Sequence, residues 1–260
     1  MEKQRDKSLD IICGLLIIHM ISGHIFLFAN LDNSLFFRVE NFILFFFMPW
    51  FFFKGGMFFK RNSDYKTFAR KSFSRLMIPF ITWGIVGSLF WLVWVATSEN
   101  RAVLVWYLAS LKTLPIEGRF LGNGPLWFLL SLFIVRIGYN LFYCNKFLLW
   151  SLVGLSAVIP FLCNVIDFNS WLLISHTLLG FFFFHWGYIM RDKQYKIKVF
   201  ITAIIDYLIM MVFCPTMVGM YQNGLDFGSN YLLYFPYALL AIVFFNNLFK
   251  YITPPHTLHI

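Results

Sequence analysis

Residues 9–24, LDIICGLLIIHMISGH, place one carboxylate and two imidazoles in a segment that is otherwise apolar. Histidine titrates near the working pH, which suits it to accept a proton from a reacting hydroxyl. On a helix turning about 100° per residue, Asp10, Cys13, Gly14 and His24 share a face, and His19 lies about 140° from His24. Gly14 on that face admits close approach by another helix or by a ligand. Asp10 and His24 stand about 21 Å apart along the axis, so this helix holds no Asp–His couple of the triad kind. Asp10 instead pairs with a cytoplasmic-side arginine or fixes the helix start. Ionisable groups inside membrane spans usually face a bundle interior or a cavity and are functional candidates by default. A neutral histidine can also simply bond across a helix interface. On the residues alone both readings stay open for His24, and the structural one leads for His19.

The elements that must position these residues are membrane helices. The 260-residue chain is 60% hydrophobic and 13% charged, with 35 phenylalanines, whereas an average soluble domain is about a quarter charged. Apolar runs of about 20 residues, the length that crosses a hydrocarbon core, recur throughout. The expectation is an all-α, polytopic bundle of eight spans, near 9–29, 41–59, 76–97, 126–144, 147–165, 171–190, 198–220 and 230–251. The segment VLVWYLASL at 103–111 is too short to cross. Neither an internal repeat nor a long linker interrupts the chain, so one membrane domain over 1–260 is expected. The N-terminal run is too long for a cleavable signal and has no small-residue cleavage site.

The basic residues test this map. Lys3, Arg5, Lys7, Lys60, Arg61, Lys66, Arg70, Lys71, Arg75, Lys146, Arg191, Lys193, Lys196, Lys198 and Lys250 fall on one side, against Arg38, Arg101, Lys112 and Arg119 on the other. Lys54 and Arg136 lie inside spans; Lys54 can snorkel to the edge. The asymmetry puts both termini in the cytoplasm. It also accounts for the net charge of +9 without nucleic acid. Cys13, Cys144, Cys163 and Cys214 are far apart, with no CxxC or Cys/His spacing, so neither a metal site nor a disulfide framework is indicated.

The opening stretch resembles the first-helix motif of the acyltransferase family 3 membrane proteins, in particular the fucose 4-O-acetylase-like branch. Asp10, Gly14, Gly23 and His24 match; Cys13 stands where the family has Arg or Lys. The likeness continues in order. FFFMPWFFFKGGMFFK (45–60) is similar to the Met-Pro, aromatic, Ser-Gly segment, with Gly55 replacing the serine. RLMIPF (75–80) is similar to the Arg-Leu-x-x-Pro element, GNGPLWFLLSLF (122–133) to the Trp-Phe-Leu segment, and GFFFFHWGYIMRDK (180–193) to the aromatic-Gly-Tyr segment. At the C-terminus, ITPPHTLHI stands where the family usually continues through further helices, so the last helices are expected to be missing.

The resemblance implies transfer of an acyl group, usually acetyl from acetyl-CoA, to a hydroxyl of a cell-envelope saccharide or saccharide-lipid precursor. The setting implied is the cytoplasmic (inner) membrane of a bacterium, with the bilayer, acyl-CoA and the saccharide as partners and no bound cofactor. His24 takes the base role, supported by Asp10, Cys13 and Gly14. Arg75, with Lys71 beside it, is the candidate for the CoA phosphates, and Trp127 and Phe128 for the acceptor, although a span-end Trp also fits an interfacial belt. Without a cation at position 13, an active enzyme needs one from Lys7, Lys54 or Arg75. His176 and His185, nine residues apart, point to opposite faces and form no joint site. A transporter or flippase relaying protons through Asp10, His24 and Arg136 stays open as a second class, and an inactive truncated family member as a third.

Overall fold

The computed structural model describes residues 6–31, 34–97, 114, 118, 120, 123–165, 172–191, 201, 204–205, 208, 219–221, 224–226 and 231–252. The chain is helical: α1 (Lys7–Phe28), α2 (Leu35–Leu44), α3 (Phe47–Met57), α4 (Tyr65–Ser72), α5 (Ile78–Thr97), α6 (Trp127–Phe142), α7 (Lys146–Val165), α8 (Leu172–Met190) and α9 (Tyr231–Ile252). A π-helical turn, Phe73–Met77, joins α4 to α5, and a 3₁₀ turn, Gly124–Leu126, leads into α6. Two three-residue strands, Gly219–Tyr221 and Gly224–Asp226, are the exceptions.

Six helical stretches among the described residues are long and apolar enough to cross a membrane: Lys7–Leu27, Leu35–Met57, Tyr65–Trp94, Gly124–Phe142, Leu172–Met190 and Tyr234–Ile252. With the exposed apolar side chains below, they mark an integral membrane protein. The apolar helix at Lys146–Leu162 is shorter. The expected span at 198–220 and the segment 103–111 fall almost wholly outside the described residues.

Local chemistry explains where these elements start and bend. Asp6 caps α1, accepting from the backbone N–H of Ser8 and Leu9, so the helix start belongs to Asp6 and not to Asp10. α2 and α3 break at Phe45–Phe46, one turn before Pro49; proline has no N–H for the carbonyl four residues back, and its ring crowds that carbonyl. The third span begins earlier than expected, because Asp64 caps α4 by accepting from Lys66 and Thr67 N–H. Residues 65–75, which lie between the expected spans 41–59 and 76–97, are therefore helical. Pro79 acts on the next turn: the π-helical register lets Ile78 N–H reach the Phe73 carbonyl, an adjustment of the kind that accommodates a missing donor.

The chain packs as two compact units, Met1–Phe51 with Asp192–Met220 and Asp226–Ile260, and Phe52–Arg191 with Tyr221–Leu225. In the first, α1 packs on α9 and on α2. Leu9, Ile12, Leu16 and His19 form the buried stripe of α1, and Ala238, Ala241, Ile242 and Phe245 that of α9, both at helical spacing. Phe45 stacks on Tyr237 with ring centroids 4.4 Å apart, and Trp50 Nε1 donates to Asn246 Oδ1 at 2.9 Å.

The second unit is built around α8, which is buried nearly all round and packs on α6 and α7. A Cβ added at Gly56 would run into the Phe184 carbonyl, and one at Gly187 into that of Phe53. These glycines let the C-terminal half of α3 and α8 meet backbone to backbone. Fully buried Phe59 sits among Phe68, Tyr139, Phe184 and Tyr188, with ring centroids 5.1 to 5.9 Å away. The runs FFFMPWFFF and GFFFF supply core as well: Phe45, Phe46, Phe52, Phe53, Phe181, Phe183 and Phe184 are all buried. The outward faces carry Ile18, Ile21 and Ile25 on α1, Phe90, Val93 and Trp94 on α5, and Phe147 and Trp150 on α7, all exposed. Such continuous apolar surface suits lipid rather than water.

Candidate functional site

α1 presents two polar faces of different character. Asp10, Cys13, Gly14 and His24 are all half-buried. No described atom lies within 4 Å of where a Cβ on Gly14 would stand. Among the described residues no helix uses the close approach that Gly14 permits. Cys13 is a free thiol. Among the described residues no side chain hydrogen-bonds to the His24 ring. A half-exposed imidazole can take a proton from a hydroxyl brought alongside.

The other face holds His19, buried at 2% exposure. Its Nδ1 lies 3.0 Å from Glu40 Oε1 on α2, and Ser22 Oγ donates to the same oxygen at 2.7 Å. The His19 ring meets the face of Phe47 edge-on at 5.0 Å. Glu40 is the residue that sequence reasoning misses, because the apolar run of span two begins at 41. Ser34 was the available signal: it caps α2 by accepting from Phe37 N–H, which makes Glu40 helical and turns it toward α1. Asp10, Cys13, Gly14 and His24 thus share a strip, as the spacing predicts, and His19 stands apart from them with a partner of its own.

The remaining candidates belong to the second unit. Lys71 is exposed at the end of α4, and Arg75 is exposed in the π-helical turn. The basic residues of α4 line its outer side, while Phe68 and Ser72 face inward. Asp64 is itself exposed, and its bonds to the Thr67 hydroxyl and backbone N–H hold its carboxyl below the ordinary range. Trp127 is 3% exposed and stacks on buried His176 at 4.3 Å. It is an interior residue rather than part of an interfacial belt. Phe128 is half-buried, with Phe52 against it at 5.0 Å.

His185 lies elsewhere, bonded through Nδ1 to Tyr139 Oη at 2.9 Å and packed on Trp150. Tyr143 and Tyr188 share a hydroxyl hydrogen bond at 2.5 Å, with Arg61 over the Tyr143 ring and Arg191 over that of Tyr188. No signal in the sequence pointed to this tyrosine–arginine group. Arg136 sits over the Phe68 ring. Among the described residues no three His, Cys, Asp or Glu side chains are placed to hold a metal ion.

The family model described as an acyltransferase domain, that of the acyltransferase 3 family, matches residues 6–254. No curated protein and no solved structure matches the chain.

Proposed function

Because the chain belongs to the acyltransferase 3 family and is a membrane acyltransferase, we propose that it moves acetyl from acetyl-CoA to a hydroxyl of a cell-envelope saccharide or saccharide-lipid precursor. The same reading places it in the cytoplasmic membrane of a bacterium, with both termini inside, and as the fucose 4-O-acetylase-like branch of its family. The observation that carries it is the half-exposed imidazole of His24, which no described side chain hydrogen-bonds, on a helix inside the family match. The family match also favours an enzyme over a transporter.

In this reading His24 takes the proton of the acceptor hydroxyl as its oxygen attacks the thioester carbonyl. The tetrahedral adduct collapses with loss of the C–S bond, and the proton on His24 returns to the thiolate, so atoms and charge balance. A base of this kind supplies about 10²- to 10⁴-fold in rate. Lys71 and Arg75 hold the phosphates of CoA, Arg75 through its bidentate fork. Half-buried Phe128 offers its ring to the sugar, and Trp127 backs it from the interior. Asp10 and Cys13 lie on the same face of α1, nearer its N-terminal end and out of reach of the base.

Two measurements test the reading. Mass spectrometry of envelope polysaccharide from cells with and without the gene reports the product, expected as loss of acetyl-sized increments on deletion. Transfer of labelled acetyl from acetyl-CoA by membranes containing the wild-type chain reports the reaction. Identical polysaccharide together with no transfer would leave the inactive-member reading standing.

A further inference from the structure

Glu40 and its partners bear on how His24 is aimed, an inference that rests on reading His24 as the base. Glu40 Oε1 engages both His19 Nδ1, at 3.0 Å, and Ser22 Oγ, at 2.7 Å. One carboxylate oxygen thus grips two residues a single turn apart on α1. The grip continues along the helix: the Phe37 ring stands 3.9 Å from the Cβ position of Gly23, and Phe26 packs on Phe36 and Phe37 at 5.7 and 5.5 Å. Positions 19, 22, 23 and 26 follow the i, i+3, i+4, i+7 pattern of one helix face. His24 lies about 140° round from His19. It is held between gripped residues on both sides along the axis, yet stays clear of the gripped face.

Apolar contacts alone set helix rotation poorly in a bilayer, where lipid is as apolar as leucine and association rests on packing and interhelical hydrogen bonds. Rotation matters here. A turn of about 20° about the axis carries a ring about 6 Å from that axis through about 2 Å, and a displacement of about 1 Å can cost about 10²-fold in rate. The second oxygen, Oε2, is buried and takes no hydrogen bond among the described residues. The polar contribution of this carboxylate is therefore concentrated in Oε1, facing α1.

We propose that Glu40 is a positioning residue: through His19 and Ser22 it fixes the rotation of α1 and so aims His24 at the acceptor hydroxyl. What the role needs is an acceptor at Oε1, not a titrating acid. Glu40→Gln keeps that acceptor and should turn over within about threefold of wild type, whereas Glu40→Leu should lose about 10- to 100-fold in kcat with the KM for acetyl-CoA nearly unchanged. His19→Asn, which keeps an N–H donor near the Nδ1 position, should retain more turnover than His19→Leu.

The double variant His19→Leu/Glu40→Leu separates aiming from mere packing. Removing both partners strands no buried polar group, so it should regain the membrane abundance that His19→Leu alone loses, while its turnover stays low. A readout independent of activity uses a chain freed of its native cysteines and carrying His24→Cys. The rate at which a water-soluble maleimide labels that thiol should change severalfold with Glu40→Leu and not with Glu40→Gln. An unchanged labelling rate, full turnover in the stable double variant, or a dead Glu40→Gln would each overturn the proposal. The labelling shift in a chain that never transfers acyl groups would uphold the positioning and tell against the acyltransferase reading alone.

Discussion

Gly187 on α8 rests directly against the Phe53 carbonyl of α3, and no side chain can be added there without moving backbone. The contact is reciprocated by Gly56 against the Phe184 carbonyl, so the α3–α8 crossing is set by two hydrogen-only positions. Gly187→Ala should cost about 1–3 kcal/mol through overpacking. Gly138 on α6 supplies the control, since a Cβ there meets no described atom within 4 Å, and Gly138→Ala should be neutral or slightly stabilising. Thermal unfolding in detergent compares the two; equal midpoints would mean that the α3–α8 contact relaxes freely.

Asp64 supplies a pH-dependent cap. Folding lowers the pKa of its carboxyl through the Thr67 hydroxyl and backbone N–H. A carboxyl acidified by folding stabilises the folded form at every pH above its unfolded value, about 4, and that contribution fades as pH falls toward the folded value. Amide exchange at residues 65–67 should therefore be slow from neutral pH down to about 4 and rise, relative to the intrinsic rate, below it. Asp64→Ala should show the raised exchange at all pH values. A pH-independent protection factor in the wild type would remove the cap from the account of α4.

The basic asymmetry along the chain predicts that α4 lies on the cytoplasmic side. Lys66 is exposed near the start of α4, which makes it a suitable reporter. A cysteine replacing Lys66 should react with an impermeant maleimide only after the cells are opened. Strong labelling of intact cells would invert the map, both termini included.

Arg75 is exposed in the π-helical turn. If it holds CoA, Arg75→Ala raises the KM for acetyl-CoA more than it lowers kcat, the signature of uniform binding. Arg75→Lys should recover only part, because an ammonium lacks the bidentate fork. Unchanged KM in a folded variant would return Arg75 to the general excess of cytoplasmic-side charge.

The apolar spans were legible because each repeats the same message over about 20 residues. Lys7–Leu27 and Leu172–Met190 fall within a few residues of where hydropathy puts them. The boundaries that moved depended on single residues. Asp64 extends α4 upstream into a stretch whose lysines and arginines read as loop, although an aspartate three residues before Thr67 was a readable cap. The His24 strip was legible because helical spacing alone decides which residues share a face. Glu40 was not, since an acid at the edge of an apolar run looks like a loop residue until α2 is folded back on α1. The backbone contacts of Gly56 and Gly187 were equally hidden: a glycine in an apolar run signals closeness to something, but the sequence does not say to what.

His24 and His19 differ in kind, and their variants should fail differently. If His24 is the base, as proposed, His24→Ala removes the proton acceptor, and acyl transfer should fall by about 10²- to 10⁴-fold while the protein inserts at normal levels. Nothing done at Glu40 should restore it, because aiming cannot replace a missing base. His19→Leu leaves the base in place. Sequence alone would set its cost at about 1 kcal/mol for one intramembrane hydrogen bond, but Glu40 raises it, since a half-buried carboxylate loses one of its two donors. The expected order of transfer at matched abundance is wild type, then His19→Leu, then His24→Ala at the floor, measured as labelled acetyl passed to saccharide by membranes. An active His24→Ala beside a dead His19→Leu would move the chemistry to the His19–Glu40 pair and reverse the roles assigned to the two faces of α1.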